Sequence, residues 1–241
     1  MKTNRMMLLA ACLSTIMILS SCRIETAKDL GATKTEKIEV KPFDEIELTG
    51  DADVIYHVSD TISVSITAPE KLMDSYEIGN DGKRLCIRKK DRLSDGKIVL
   101  NVGNFSRKGG VTVHVYGPHV TAIRVVGSGD VTCSDSIQAE KVVCCVTGSG
   151  DIDCAAVKTD TLSLEVTGSG DIEIKGAEAA SSTMLVTGSG DIKVHLNNGQ
   201  TASAIVTGSG EITLSGTVGQ FNQQVSGSGD INAKNLTITK K

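Results

Sequence analysis

Six carboxylates, Asp130, Asp151, Asp171, Asp191, Glu211 and Asp230, each end a Gly-Ser-Gly-Asp or Gly-Ser-Gly-Glu tetrapeptide, and they recur every 19 to 21 residues. Side chains repeating at one structural period stack into a single column. Neighbouring negative charges there repel, and a hard cation taking six to eight oxygens would relieve them. Calcium binding of the kind made by glycine-rich nonapeptide solenoids is therefore the first chemistry to weigh. The period here is twenty rather than nine, however, and one carboxylate per repeat supplies few of the oxygens needed. The simpler expectation is that glycine supplies an unusual backbone conformation while the acid closes the turn on its own backbone. On that reading no metal and no cofactor is expected.

Cysteine and histidine offer less. Beyond Cys12 and Cys22 the chain holds Cys86, Cys133, Cys144, Cys145 and Cys154, an odd number with no Cys-x-x-Cys pair, which argues against zinc and against a fully paired disulfide framework. Cys133 and Cys154 occupy equivalent positions in successive repeats, so a bridge between them is open in an oxidising compartment. The favoured reading is that they are small buried hydrophobes. The four histidines, His57, His114, His119 and His195, have no ligand or triad spacing. The serines of the tetrapeptides are turn residues before they are nucleophiles. Strand acids such as Asp153, Glu165 and Glu173 could converge for glycoside hydrolysis, but the repeat explains them more simply as solvated positions. No catalytic residue is expected.

At the N-terminus, Lys2 and Arg5 precede an uncharged, largely apolar run from Met6 to Leu19, too short to span a bilayer and right for an export signal. It ends in Leu19-Ser20-Ser21-Cys22, which resembles the lipobox of bacterial lipoprotein signals. That resemblance implies removal of residues 1–21, lipidation of Cys22 and membrane attachment through acyl chains, each buried methylene contributing about 0.8 kcal/mol. Arg23 in place of aspartate implies, by the same resemblance, the outer membrane. Residues 22–35 are polar and aperiodic and are expected to be a tether.

The elements that must carry these residues follow from the repeat. The turns are Gly127-Ser128-Gly129-Asp130, Gly148-Ser149-Gly150-Asp151, Gly168-Ser169-Gly170-Asp171, Gly188-Ser189-Gly190-Asp191, Gly208-Ser209-Gly210-Glu211 and Gly227-Ser228-Gly229-Asp230. Two residues before each stand Val125, Val146, Val166, Val186, Val206 and Val225; four after the first glycine stand Val131, Ile152, Ile172, Ile192, Ile212 and Ile231. Polar residues fill the positions between, so a strand with one buried face flanks each side of the turn. The stretch Gly176-Ala177-Glu178-Ala179-Ala180 is the one place with any helical character, and no proline follows Pro118. Two topologies fit: a β-solenoid with one coil per repeat, or an antiparallel meander, for which Asn198-Gly199 would be a good hairpin turn. The near-constant repeat length favours the solenoid.

Residues 36–120 read as an irregular lead-in to the regular array 121–241, both within one solenoid domain of residues 36–241. Phe43-Asp44-Glu45-Ile46-Glu47-Leu48 and Val54-Ile55-Tyr56 flank Gly50-Asp51-Ala52-Asp53, a degenerate copy of the turn. Further strands are expected at Ile62–Ile66, Leu85–Arg88, Ile98–Leu100 and Val111–Val115. Phe43 to Tyr56, the Asp81 to Ile87 stretch and the tandem Val-x-Gly-Ser-Gly-Asp-Ile units resemble the auto-transporter adhesin head (GIN) domain family of Bacteroidetes lipoproteins. That resemblance implies an all-β, single-stranded parallel β-helix of the pectin-lyase-like kind, a role in cell adhesion and no assigned catalytic residues.

Net charge of −4 argues against nucleic acid, and 2% aromatic residues with no tryptophan remove stacking platforms. The expected partners are a membrane, through the lipid anchor, and a surface glycan or protein. A homo-oligomer is a further candidate, since Leu185 and Ile205 are expected as exposed neighbours and the open ends of a solenoid need capping. Lys240-Lys241 is one candidate block. The competing function classes are a polysaccharide lyase or hydrolase on the same superhelix and a periplasmic envelope-maintenance lipoprotein.

Overall fold

The computed structural model describes residues 30–90 and 110–239. The export signal, Cys22 and the expected strand Ile98–Leu100 lie outside the described residues, as do Lys240 and Lys241.

The repeat folds as a parallel β-solenoid, because every inter-repeat pairing is parallel and in register with the period of the sequence. Strand β10 (Lys141–Gly148) pairs Gly148 with Gly127 of β8 (Ala122–Gly127) on one side. On the other side it pairs Gly148 with Gly168 of β11 (Ile152–Gly168). The same register carries β12 (Ile172–Gly188), β13 (Ile192–Gly208), β14 (Glu211–Gly227) and the last strand, β15 (Asp230–Ile238). A meander would have paired neighbours antiparallel. Each long strand starts after one Gly-Ser-Gly turn, bends at a second corner and ends at the next turn, so it belongs to both walls of the rod.

Asn198-Gly199 marks one of these second corners and not a hairpin. Asn198 has φ of 56° and donates its N–H to Thr217 Oγ1 of the next coil at 3.0 Å. The alanine-rich stretch at Gly176–Ala180 is strand throughout and lies at the corresponding corner one coil earlier, with Ala177 and Ala179 buried.

Apolar ladders between the two walls form the core. Val125, Val146, Val166, Val186 and Val206 are at most 1% exposed, as are Val131, Ile152, Ile172, Ile192 and Ile212. Period-two alternation places one face of every strand inward, and in-register stacking places like on like.

The lead-in joins the same rod but not in chain order. The degenerate turn between β2 (Glu45–Gly50) and β3 (Asp53–Val58) stacks directly on the first regular turn, Gly50 against Gly127 and Asp53 against Asp130. Beyond it lie β6 (Arg84–Lys89) and β7 (Thr112–Gly117), parallel to β2 and β3 although later in the chain. This end is finished by antiparallel strands: β5 (Tyr76–Asn80) on β6, β4 (Ser63–Pro69) on β7, and β1 (Thr33–Ile38) on β4. A single helical turn, Glu70–Met73, follows β4. Strand β1 begins within the stretch expected as tether: Leu30 is buried and Thr33 to Ile38 pair with β4. Pairing supplied by β4, rather than any apolar periodicity of its own, makes this polar stretch a strand.

Candidate interaction surface and carboxylate ladder

In every turn with another stacked after it, the carbonyl of the first glycine accepts two N–H groups from the next coil. Gly148 O takes Ser169 N at 2.8 Å and Gly170 N at 3.1 Å; Gly168 O takes Ser189 N and Gly190 N at 2.8 and 3.1 Å. Coils packed this closely leave no room for a side chain. A Cβ on Gly170 would stand 2.0 Å from Gly150 O, and Gly168 also has φ of 126°, a conformation that side chains rarely adopt.

The acids do not close the turn on their own backbone. Four of the six carboxylates reach along the rod: Asp130 Oδ1 accepts Asp151 N at 3.1 Å, Asp151 Oδ1 accepts Asp171 N at 2.9 Å, Asp171 Oδ1 accepts Asp191 N at 2.8 Å, and Asp191 Oδ1 accepts Glu211 N at 2.8 Å. An N–H between carboxylates offsets part of their mutual repulsion. The ladder stops at Glu211, whose longer side chain takes Thr213 Oγ1 instead at 2.7 Å, and Asp230 N goes to Gly210 O. Among the described residues no group of three or more His, Cys, Asp or Glu side chains is placed to hold a metal ion.

Beside the ladder runs a shallow groove lined by Asp151, Asp153, Asp171, Glu173, Asp191 and Lys193. It continues past Asp130 and Thr132 to Asp53. Lys193 Nζ is 2.9 Å from Glu173 Oε1, and that hydrogen bond holds the Glu173 carboxyl below its ordinary value. Asp153 and Glu173 are cross-strand neighbours, whereas Glu165 pairs with Cys145 and Leu185 on the other wall, so the three candidate acids do not meet. On that wall Thr147, Thr167, Thr187 and Thr207 form an exposed hydroxyl row, and Leu185 and Ile205 stand beside it half-buried rather than fully exposed.

Cys133 and Cys154 are register partners, both buried and both free thiols, with Cys144 also buried and free. Burial pushes the Cys133 thiol up to about 12. Cys154 is raised well above the ordinary thiol value by its hydrogen bond with Cys144 and then by burial. All three are buried free thiols, and these upward shifts keep Cys133 and Cys154 in the protonated form. Three of the histidines have separate partners: His57 stacks on Tyr116 with ring centres 4.8 Å apart and lies 3.3 Å from Asp135, His119 Nδ1 accepts Gln138 N, and His195 Nδ1 meets Ser215 Oγ.

One cluster has no signature in the repeat. Glu45, 7% exposed, sits between Lys83 Nζ at 2.9 Å, Arg84 Nε at 3.3 Å and Arg124 Nη1 at 2.8 Å. Burial works to raise its pKa, but the hydrogen bonds from Lys83, Arg124 and Arg84 outweigh it and hold the carboxyl low. It ties β2, β6 and β8 together, strands that are neighbours in space and far apart in sequence.

Fold and surface together define a rod-shaped parallel β-solenoid whose turn residues are consumed in stacking and whose alternate strand side chains line two outer walls. The family model for "Putative auto-transporter adhesin, head GIN domain" matches residues 42–184 and 178–240, and the chain belongs to that family. Among solved structures, a "putative adhesin" from Bacteroides fragilis has TM-score 0.67 at 19% identity, with 83% of this chain and 96% of that one covered. A "putative lipid binding protein" from Parabacteroides distasonis has TM-score 0.56 at 23% identity, with 84% and 96% covered. A "putative adhesin" from Parabacteroides merdae has TM-score 0.53 at 18% identity, with 84% and 96% covered. At these identities the likeness establishes the fold. No curated protein matches the chain.

Proposed function

We propose that the chain is a lipid-anchored, non-catalytic interaction module of the cell envelope that binds a surface glycan or protein through its outer walls. The observation that supports this most is the division of labour within the repeat. Turn glycines and acids are spent on coil-to-coil hydrogen bonds, Glu165 stands on the other wall from the neighbours Asp153 and Glu173, and Glu173 is paired with Lys193. Family membership supports an adhesion role, and the lipobox at Cys22 supports the anchor. No helix among the described residues is long and apolar enough to cross a membrane. A flat rod binds through many weak contacts and gains strength when copies cluster on a membrane.

The test has two arms. Replacing Cys22 by Ser should move the protein from the membrane fraction to the soluble fraction, and protease treatment of intact cells should remove it if it faces outward. The purified chain on a glycan array and on host-matrix proteins should give a ligand whose binding is weakened by Thr167→Lys or Thr187→Lys on the hydroxyl row. Turnover of a polymeric uronide would overturn the non-catalytic reading, and an unchanged distribution of Cys22→Ser would overturn the anchor.

A further inference from the structure

The two ends of the rod are built differently. At the N-terminal end the two outermost strands, β1 and β5, are both antiparallel to their neighbours, and β1 carries Lys34, Glu36 and Lys37, all exposed. Charged, reversed edge strands of this kind discourage further strand pairing.

At the other end the outermost strand, β15, runs parallel to its neighbour and carries two exposed charges, Asp230 and Lys234, whereas the unpaired segment of β14 beside it carries none. The segment Gln220–Gly227 of β14 is paired on the β13 side only, and β15 on the β14 side only. The inward valine ladder, at most 1% exposed from Val125 to Val206, reaches 44% at Val225, and Ile238 is 52% exposed. From Ile212 to Gly229 there is no charged residue and no proline. Gln223 occupies the inward column held in earlier coils by Ile123, Cys144, Leu164, Met184 and Ala204, so an amide stands where the core ladder ends.

We propose that this terminal coil is a homotypic docking surface, through which two copies of the chain join tail to tail. The chemistry of the edge favours a second copy. Gln220, Asn222, Gln223 and Gln224 each offer both donors and acceptors, so an amide-rich edge complements itself. A twofold axis across the rod reverses strand direction, and the two edges then meet as antiparallel strands. The charged cap at the opposite end disfavours head-to-tail growth, so the contact closes at a dimer. Size also fits. A strand of eight or nine residues is about 30 Å long, and two walls about 10 Å apart with their side chains make a face about 20 Å wide. Each copy would bury about 600 Å², or about 1,200 Å² in total, near the lower limit for a specific interface. Association is therefore expected to depend on concentration, and attachment to a membrane would favour it. The inference is independent of which ligand the walls bind.

Sedimentation velocity of the lipid-anchored chain in non-ionic detergent, over a concentration series, should show protein mass rising from that of one chain to twice that value. Val225→Lys and Gln223→Lys should each weaken the dimer by about tenfold or more. Thr187→Lys, on an exposed mid-rod row, should not. Hydrogen exchange on the unaltered chain gives a readout that needs no variant: amides of Gln220–Gly227 and β15 should gain protection with concentration while those of β1 do not. A monomer at all concentrations, a dimer indifferent to both terminal substitutions, mass growing beyond two copies, or no gain in protection would each overturn the proposal.

Discussion

Gly170→Ala is the smallest change that tests the stacking logic. Gly170 has no unusual φ, so the substitution isolates sterics from conformational preference. The added methyl would stand 2.0 Å from Gly150 O and 2.8 Å from Val146 Cγ1, both belonging to the coil below. An ordinary carbon–oxygen contact needs about 3.3 Å, so the coils must part locally by more than about 1 Å. That movement stretches Ser169 N to Gly148 O, now 2.8 Å, Gly170 N to Gly148 O, now 3.1 Å, and Asp171 N to Asp151 Oδ1, now 2.9 Å. Three hydrogen bonds at about 1 kcal/mol each set the cost near 3 kcal/mol, similar to the upper range for overpacking a tight site. For a chain of this size that lowers the melting temperature by about 6–12 °C. Ser169→Ala, one residue earlier and exposed, should change stability by less than about 0.5 kcal/mol. In a one-dimensional array the position of the lesion matters. Gly229→Ala meets Gly210 O at 2.4 Å but lies in the last coil, so it should fray that coil and leave the main transition in place. Far-UV circular dichroism melts read all three. A Gly170→Ala protein that melts within 2 °C of the unaltered chain would refute the claim that glycine is required by coil-to-coil approach.

Asp171→Asn keeps the oxygen that accepts Asp191 N and removes one charge from the column, so it should match or exceed the parent stability at low salt; Asp171→Ala should cost about 1 kcal/mol, and equal losses in urea denaturation would show that the ladder hydrogen bond contributes nothing. Glu45 has a folded pKa below its unfolded value, so its stabilisation is present above about pH 4.3 and disappears as pH falls through the lowered folded value; Glu45→Gln should flatten that acid limb and cost about 1–2 kcal/mol at neutral pH, and an identical acid limb in the variant would discard the assignment. Cys133 has its folded pKa raised to about 12, so its contribution is full below an unfolded value of about 8.5 and is lost as pH rises; native protein at pH 8 should resist iodoacetamide at Cys133 and Cys154, urea should expose both, and rapid native labelling seen by peptide mass mapping would contradict their burial.

Legibility followed periodicity. A turn repeated six times fixes which residues stack, and the columns from Val125 to Ile231 could be written down before any coordinates because in-register parallel pairing adds no free parameter. The carboxylate ladder was visible as a column but not as a bond, since an aspartate bonding its own turn and one bonding the next coil have the same sequence. The lead-in was read as strands, but its spatial order, with β6 and β7 outside β2 and β3, was not accessible: nothing local says which of two parallel neighbours lies outside. The Glu45 cluster was missed for the same reason, because its partners Lys83 and Arg124 come from elements distant in sequence. Strand β1 was missed because its residues are polar and the signal for it lies in β4, whose free edge needed a partner.

The ladder also separates what can vary from what cannot. From the turn at Asp130 to the turn at Asp191 the first glycine's carbonyl, the two N–H groups that follow and the acid's Oδ1 are committed to neighbouring coils, so changing any of them costs stability before it changes binding. Outward positions carry no such obligation. The column three before the turn reads Arg124, Cys145, Glu165, Leu185, Ile205 and Gln224, and the column five after it reads Thr132, Asp153, Glu173, Lys193, Thr213 and Asn232. Neither is uniform, although the Val125 to Val225 and Val131 to Ile231 columns beside them nearly are. A rod whose walls change character every 20 residues, on a frame that does not change, can alter what it recognises one coil at a time. That is why the search for a ligand belongs on the walls and not in the Gly-Ser-Gly-Asp turns that first draw the eye.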